Sequence, residues 1–312
     1  MWKVATALVV TFLVLGASAP PTRAEDETPL RVALVPAAPA LAVWVAQDKG
    51  IFKAQNLQVS ITPVANVGLI AAVLGKQFDI GIATTVDLIK AVAGGLNLAA
   101  VAGGHFETEQ ATTNALIAGA QSGVRSARDL AGKTVATPSI GAILQVAQLH
   151  WLKREGIDLK SVHFVEMPFP NMGDQLAAGR IDAAIAAEPF ASRMIAAGNT
   201  SLGNELLQVA NPALATVWIS DRTWAQANQP AVVNWTAALR QAAAFIVREP
   251  VQAREILANY TKLPATAIEH LALPHFETKV QASDIDVWIK VLAELDELQT
   301  SVDAGALLAT PN

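Results

Sequence analysis

Residues 134–186 read TVATPSIGAILQVAQLHWLKREGIDLKSVHFVEMPFPNMGDQLAAGRIDAAIA, and residues 31–83 follow the same plan. The earlier segment reads RVALVPAAPALAVWVAQDKGIFKAQNLQVSITPVANVGLIAAVLGKQFDIGIA. Val32-Ala33 and then Pro36 answer Val135-Ala136 and then Pro138. Lys49-Gly50-Ile51 answers Glu155-Gly156-Ile157, and Asn66-Val67-Gly68 answers Asn171-Met172-Gly173. Phe78-Asp79 with Ile82-Ala83 answers Ile181-Asp182 with Ile185-Ala186. Alanine matches come cheaply in an alanine-rich chain. The ordered recurrence of glycine, asparagine, proline and aspartate does not, so the two segments read as an internal duplication.

Each unit reads strand, turn, helix, strand, turn, helix, strand. Val32–Val35 and Val135–Thr137 are short apolar runs ended by proline, and helices follow from Ala40 and Ala142. Gly50 and Gly156, just behind charged residues, are the expected helix stops. Leu57–Val64 and Val162–Met167 read as second strands, and Phe78–Ala83 and Ile181–Ala186 as third strands. Asn-x-Gly is expected to start the short helix between them. Strands alternating with helices imply parallel pairing and right-handed crossovers, hence two α/β lobes.

Ligands of open parallel sheets bind beyond the carboxyl ends of the strands. Two such lobes face to face therefore present equivalent loops across a cleft. The first offers Pro36–Ala40, Asn66–Gly68 and Thr84-Thr85, and the second offers Pro138–Ala142, Phe169–Gly173 and Ala187–Pro189. The chain crosses between lobes through Thr112–Ala118, after Gly103-Gly104-His105, and returns through the strand-like Pro212–Ser220. Two crossings make a hinge, and closure about a ligand is the natural motion. The remainder reads as helices over Pro230–Arg248, Pro250–Tyr260, Pro264–Leu271 and Ser283–Leu298, packed back on the first lobe. The expected division is 25–115 and 214–312 for the first lobe and 116–213 for the second.

Residues 1–24, MWKVATALVVTFLVLGASAPPTRA, carry one early lysine, an apolar run and a small-residue end, the pattern of a cleavable export signal. The apolar run is shorter than the ~20 residues of a spanning helix. A periplasmic, membrane-free protein is expected, and a monomer. The chain has no cysteine, hence no disulfide and no thiol chemistry. Removing Lys3 and Arg23 from 22 basic residues leaves 20 against 27 acidic ones. Such a balance gives no electrostatic attraction to nucleic acid or anionic lipid.

Several stretches then resemble a known family: GIFKAQNLQV, LGKQFDIGIATTVDLIKA, DLAGKTVATP, LAAGRIDAAIAAEPF and WISDRTWAQANQPAVVNWTAALRQA. Together they are similar to the periplasmic substrate-binding proteins of ABC importers for nitrate, sulfonates, taurine and thiamine-type pyrimidines. The resemblance implies a type II periplasmic-binding-protein fold, a small-molecule ligand in the cleft and delivery to a membrane permease. Two other readings share that fold: an enzyme, such as a pyrimidine synthase or a chorismate-dehydratase-like lyase, and a sensor module for a receptor. The chain has no nucleophile elbow, no paired-histidine metal spacing and no dinucleotide fingerprint, and it calls for no cofactor.

The turn TPSIG is not a nucleotide phosphate loop, which requires G-x-x-x-x-G-K-[ST]. It offers the Ser139 hydroxyl and the free N–H groups of a helix start near Ser139–Ile143, Gly141 and Ala142 among them, a setting that attracts an anionic or carbonyl oxygen. Ser139 either touches the ligand or caps the helix. Glu188 is a candidate partner for an ammonium, amidine or hydroxyl, or else bonds backbone across the cleft. Thr84 and Thr85 supply hydroxyls at the matching position, or an N-cap. Asn66 and Asn171 are candidates either for capping or for contact. His105 and Phe106 are placed at the cleft border. Among the aromatic residues Trp44, Phe169, Phe190 and Trp218, one or two are expected to line the pocket. These loops hold no arginine or lysine, which argues against a small, strongly hydrated anion and for an organic solute with one polar end.

Overall fold

The computed structural model describes residues 1–2, 27–64, 70–262, 269 and 271–309. Residues 3–24 of the expected export signal and Asn66 lie outside the described residues, as does most of the helix read over 264–271.

The first repeat unit forms β1 (Thr28–Leu34), α1 (Leu41–Asp48), α2 (Ile51–Ala54), β2 (Leu57–Pro63), α3 (Ile70–Val73) and β3 (Ile80–Thr84). It continues into α4 (Thr85–Ala93) and β4 (Leu98–Gly103). The crossing follows as β5 (His105–Glu107) and β6 (Asn114–Ala118). The second unit comprises β7 (Thr134–Thr137), α5 (Ile143–Arg154), β8 (His163–Glu166), α6 (Phe169–Ala177), β9 (Ala183–Ala187), α7 (Phe190–Ala196) and β10 (Thr200–Ser201). The return runs through β11 (Ala213–Leu214) and β12 (Thr216–Asp221). After it come α8 (Arg222–Ala227), α9 (Gln229–Arg248), α10 (Pro250–Thr261), β13 (His275–Phe276) and α11 (Ala282–Glu294).

Two five-stranded sheets result, ordered β2-β1-β3-β12-β4 and β8-β7-β9-β6-β10. Within each, the unit's own three strands are parallel. The duplication is also visible in single hydrogen bonds. Asp79 accepts from the backbone N–H of Arg31 at 2.8 Å, and Asp182 accepts from that of Thr134 at 2.9 Å. Each aspartate is then paired with a cation, Arg31 at 2.6 Å and Lys133 at 3.1 Å. Gly50 and Gly156, at φ +66° and +75°, supply the left-handed residue that ends the first helix of each unit.

The fourth strand departs from the parallel expectation. β12 lies antiparallel between β3 and β4, and β6 lies antiparallel beside β9. Each lobe is thus completed by a strand that the chain lays down while entering or leaving. Strand–helix alternation specifies direction only where a helix links two strands, and no helix links these, so the pattern is silent about them. A second departure is α6, which starts at Phe169 behind Pro168, so that Asn171 is its third residue and caps nothing. Pro170, with φ preset for a first turn, begins the helix earlier than Asn-x-Gly suggested.

Helices α9 and α10 pack on α1, which returns the C-terminal part to the first sheet. That core is held by aromatic contacts. Phe52 stacks on Trp235 at 5.3 Å, Trp218 meets Trp235 edge-on at 5.2 Å, and Trp44 stacks on Tyr260 at 5.0 Å. Between the lobes β5, β11 and β13 form a small antiparallel sheet. The lobes touch beyond it: Lys90 Nζ, on α4, donates to Gly141 O at 2.8 Å and also pairs with Glu297 at 2.8 Å.

Candidate functional site

Two cavities are prominent. One, of about 590 Å³, lies within the first lobe against β4 and α9. The other, of about 510 Å³, is walled by both lobes. The second lies at the carboxyl ends of β1, β3, β7, β8 and β9, where the sheet rule places a ligand, and its volume suits a small organic molecule. Its walls are largely apolar: Val35, Pro36, Pro39, Val64 and Ile82 from the first lobe, and Pro138, Ile143, Leu144, Phe169 and Phe190 from the second. The two phenylalanine rings stack at 5.7 Å, inclined by 21°.

Of the residues singled out from the sequence, Thr84, His105, Ser139, Ala142, Phe169 and Phe190 border this cavity. The others do not. Trp44 and Trp218 are spent in the first-lobe core described above, and Phe106 is buried there too. Thr85 is sealed and donates to Leu214 O at 2.8 Å. Asn171 is exposed on α6. Glu188 accepts from the Ser192 amide at 3.0 Å and the Ser192 hydroxyl at 2.7 Å, while its carbonyl accepts from Ala38 N of the opposite lobe at 3.5 Å. Its backbone therefore bridges the cleft while its side chain caps α7. Thr84 both borders the cavity and caps α4, accepting from Asp87 N at 3.1 Å.

The TPSIG turn is also altered by the structure. Ile140 N donates to Glu166 Oε2 at 2.9 Å, Gly141 N to Gln145 Oε1 at 2.6 Å and Ala142 N to Ser139 O at 3.4 Å. Of the N–H groups expected to cradle a ligand oxygen here, those of residues 140–142 are used internally. Glu166, unmarked in the sequence, stands on the cavity wall beside them.

The floor is a buried polar network centred on Glu107, which is fully enclosed. Its carboxylate accepts from Thr113 N at 2.8 Å, Asn114 Nδ2 at 2.7 Å, Asn204 Nδ2 at 2.6 Å and the Thr113 hydroxyl. His105 Nε2 lies 3.3 Å away. Burial pushes this carboxyl up, but His105 and Thr113 outweigh burial and hold it below the usual carboxylate range. Because Nε2 faces a carboxylate, Nδ1 is left to pair with the Thr216 hydroxyl, at 2.8 Å. Both ring nitrogens of His105 are thereby occupied. Asn114, Thr216 and Leu206 also reach the cavity. Sequence reasoning passed over Asn114, although a Thr-Asn pair opening an apolar crossing strand was a signal available to it.

Gly104 lets the two crossings approach. A Cβ there would lie 2.4 Å from Thr216 Oγ1 and 2.8 Å from Thr216 O, contacts that no real side chain makes. Gly104→Ala is expected to cost about 1–3 kcal/mol, as overpacking does, and to displace Thr216 from His105. Urea unfolding together with the His105 ring NMR signals checks this. Unchanged signals would show that the approach is not needed.

Comparison with known proteins agrees with this architecture. The alkanesulfonate-binding protein SsuA from Xanthomonas axonopodis pv. citri, bound to MOPS, superposes with a TM-score of 0.78 at 19% identity, over 91% of this chain and 99% of that one. The periplasmic nitrate-binding protein NrtA from Synechocystis PCC 6803 gives 0.76 at 14% identity, over 89% and 84%. A curated protein of Brachyspira hyodysenteriae, named as a candidate ABC transporter periplasmic binding protein, is 30% identical over 141 residues, 45% of this chain and 40% of that one. The chain thus matches about two fifths of that relative's length. Residues 39–253 match the family described as NMT1/THI5 like. That match spans more than half of the sequence, and with the fold shared by its structural neighbours it places the chain in the NMT1/THI5-like family.

Proposed function

We propose that the protein is a periplasmic solute-binding protein that closes its two lobes on a small organic molecule and hands it to an ABC permease. The observation that carries this reading is the cavity of about 510 Å³ walled by both lobes, with both chain crossings at its floor. Closure encloses a solute, and opening about the crossings releases it. The working division is 25–115 with 214–312 against 116–213. Export by residues 1–24 and a monomeric state complete the proposal. Among the described residues no helix is long and apolar enough to cross a membrane.

A carrier without catalysis is the reading we favour over an enzyme. Both nitrogens of His105 are engaged within the protein, and among the described residues no base is hydrogen-bonded to the Ser139 hydroxyl. Native mass spectrometry of protein purified without refolding should show a retained solute. Incubation should return that solute chemically unchanged, and a converted product would overturn the reading.

Affinity should reside in the apolar walls. Phe190→Ala removes one of the stacked rings, worth about 1.5–3 kcal/mol of buried surface, so affinity should fall roughly ten- to a hundredfold. The measurement is titration calorimetry with the solute that most raises the melting temperature. An unchanged dissociation constant would mean that the solute sits elsewhere.

A further inference from the structure

On the basis of that solute-binding reading, we infer that Asn114 is the polar recognition group of the cavity. It selects an uncharged or amine-bearing solute that brings an N–H or O–H donor, and it selects against anions.

The argument begins with which way the Asn114 amide faces. Its Nδ2 donates to Glu107 at 2.7 Å and lies 3.3 Å from the Thr113 hydroxyl oxygen. An ionised carboxylate only accepts, so the nitrogen must face Glu107 and the oxygen must face the other way. Asn114 is 5% exposed and borders the cavity. Among the described residues nothing donates to Oδ1, yet that oxygen is not sealed off, unlike the two oxygens of Glu205. An acceptor without a protein partner, held rigidly at the bottom of an apolar cavity, calls for a donor on the ligand.

The remaining polar groups point the same way. The one carboxylate on the wall among the described residues is Glu166, which has already taken Ile140 N and whose charge repels an anion, while the Thr84 and Ser139 hydroxyls can donate or accept. Among the described residues no arginine or lysine borders the cavity to offset it. The N–H groups of residues 140–142 are consumed, as described above. The first turn of α5 still offers backbone donors, which suit a carbonyl or a ring nitrogen. A solute carrying both a donor and a neutral acceptor on a flat apolar body, such as an aromatic amide or an amino-heteroaromatic, matches every wall.

The test uses benzamide, N,N-dimethylbenzamide, benzenesulfonate and nitrate, titrated calorimetrically into the full-length protein. Benzamide should bind at least tenfold more tightly than the dimethyl amide, which lacks the donor. It should exceed benzenesulfonate by the same margin. Asn114→Leu should reduce the first ratio to about one, with the far-ultraviolet circular dichroism unchanged. The comparison of the two amides needs no variant, so an unfolded Asn114→Leu does not spoil it. Equal binding of the two amides, or a tenfold preference that survives in Asn114→Leu, overturns the inference. Preferential binding of benzenesulfonate or nitrate also overturns it and leaves the solute-binding reading standing. Binding of no probe, with no retained solute in the native mass spectrum, overturns both.

Discussion

Glu107→Leu is expected to destabilise the protein by about 3–5 kcal/mol, the cost of removing one member of a buried charged network. The residue is fully enclosed and serves as the common acceptor for Thr113 N, the Thr113 hydroxyl, Asn114 Nδ2, Asn204 Nδ2 and His105 Nε2. A leucine fills the volume but accepts nothing, so each buried donor is stranded at about 1–3 kcal/mol. Relief of the Glu107 desolvation returns part of that, which is why the expected total is below the sum. A loss of this size is a large share of a typical folding free energy of roughly 5–15 kcal/mol. Glu107→Gln keeps one acceptor but turns an NH₂ toward donors, so an intermediate loss is expected. The measurement is the urea midpoint at constant slope. A leucine variant as stable as the parent would mean that water or rearrangement satisfies the donors, and that the floor is not fixed by Glu107. The glutamine variant has a second consequence: with no carboxylate to orient it, Asn114 can turn over, and discrimination between the amide probes should weaken.

Most of the framework was legible in the sequence, because backbone demands leave local marks. Gly50 and Gly156 end helices with left-handed residues, and Asp79 and Asp182 repeat one strand-start hydrogen bond, so paired spacing exposed the duplication. The C-terminal helices announced themselves through proline starts, Pro230 and Pro250 falling in the first turns of α9 and α10. The floor was less legible. Glu107 and Asn114 lie at the first crossing while Asn204 and Glu205 lie between β10 and β11, and a network built from separate segments has no periodicity to betray it. Of the four aromatic candidates, of which one or two were expected at the pocket, Phe169 and Phe190 line it and Trp44 and Trp218 do not, for a related reason. An aromatic residue near a predicted cleft loop can turn inward, and theirs pack on Tyr260 and Trp235. The TPSIG turn lies where the sequence placed it, but two of its donors are committed to side chains outside the motif, those of Glu166 and Gln145.

Beside this network sits a second enclosed carboxyl, and the protein should lose stability through it as pH rises. Glu205 is wholly buried, and neither of its side-chain oxygens has a hydrogen-bond partner among the described residues. Burial, with a further contribution from the Glu107 charge, pushes its pKa up to about 8 from an ordinary 4.5. Below about 4.5 both folded and unfolded chains hold the proton, and the group contributes no pH dependence. Between there and about 8 the unfolded chain releases the proton while the folded chain keeps it. Stability therefore falls by about 1.4 kcal/mol per pH unit from this group, about 3 kcal/mol by pH 7. Above about 8 the dependence levels off. Glu188, also raised by burial, adds the same sign, whereas Glu107, held low, adds stability above the ordinary carboxylate range that is lost as pH falls. Glu205→Gln and Glu205→Leu should thus gain on the parent as pH increases from 5 to 8, by several °C in melting temperature, and the parent's decline should flatten. Urea midpoints at both pH values measure the difference. A constant gap between parent and both variants would mean that Glu205 is ionised in the folded protein and that water or a cation reaches it. If the gap widens as expected, the hinge holds a neutral carboxyl beside a charged one, and Glu107 can stay an acceptor for Asn114 because Glu205 does not compete with it for charge.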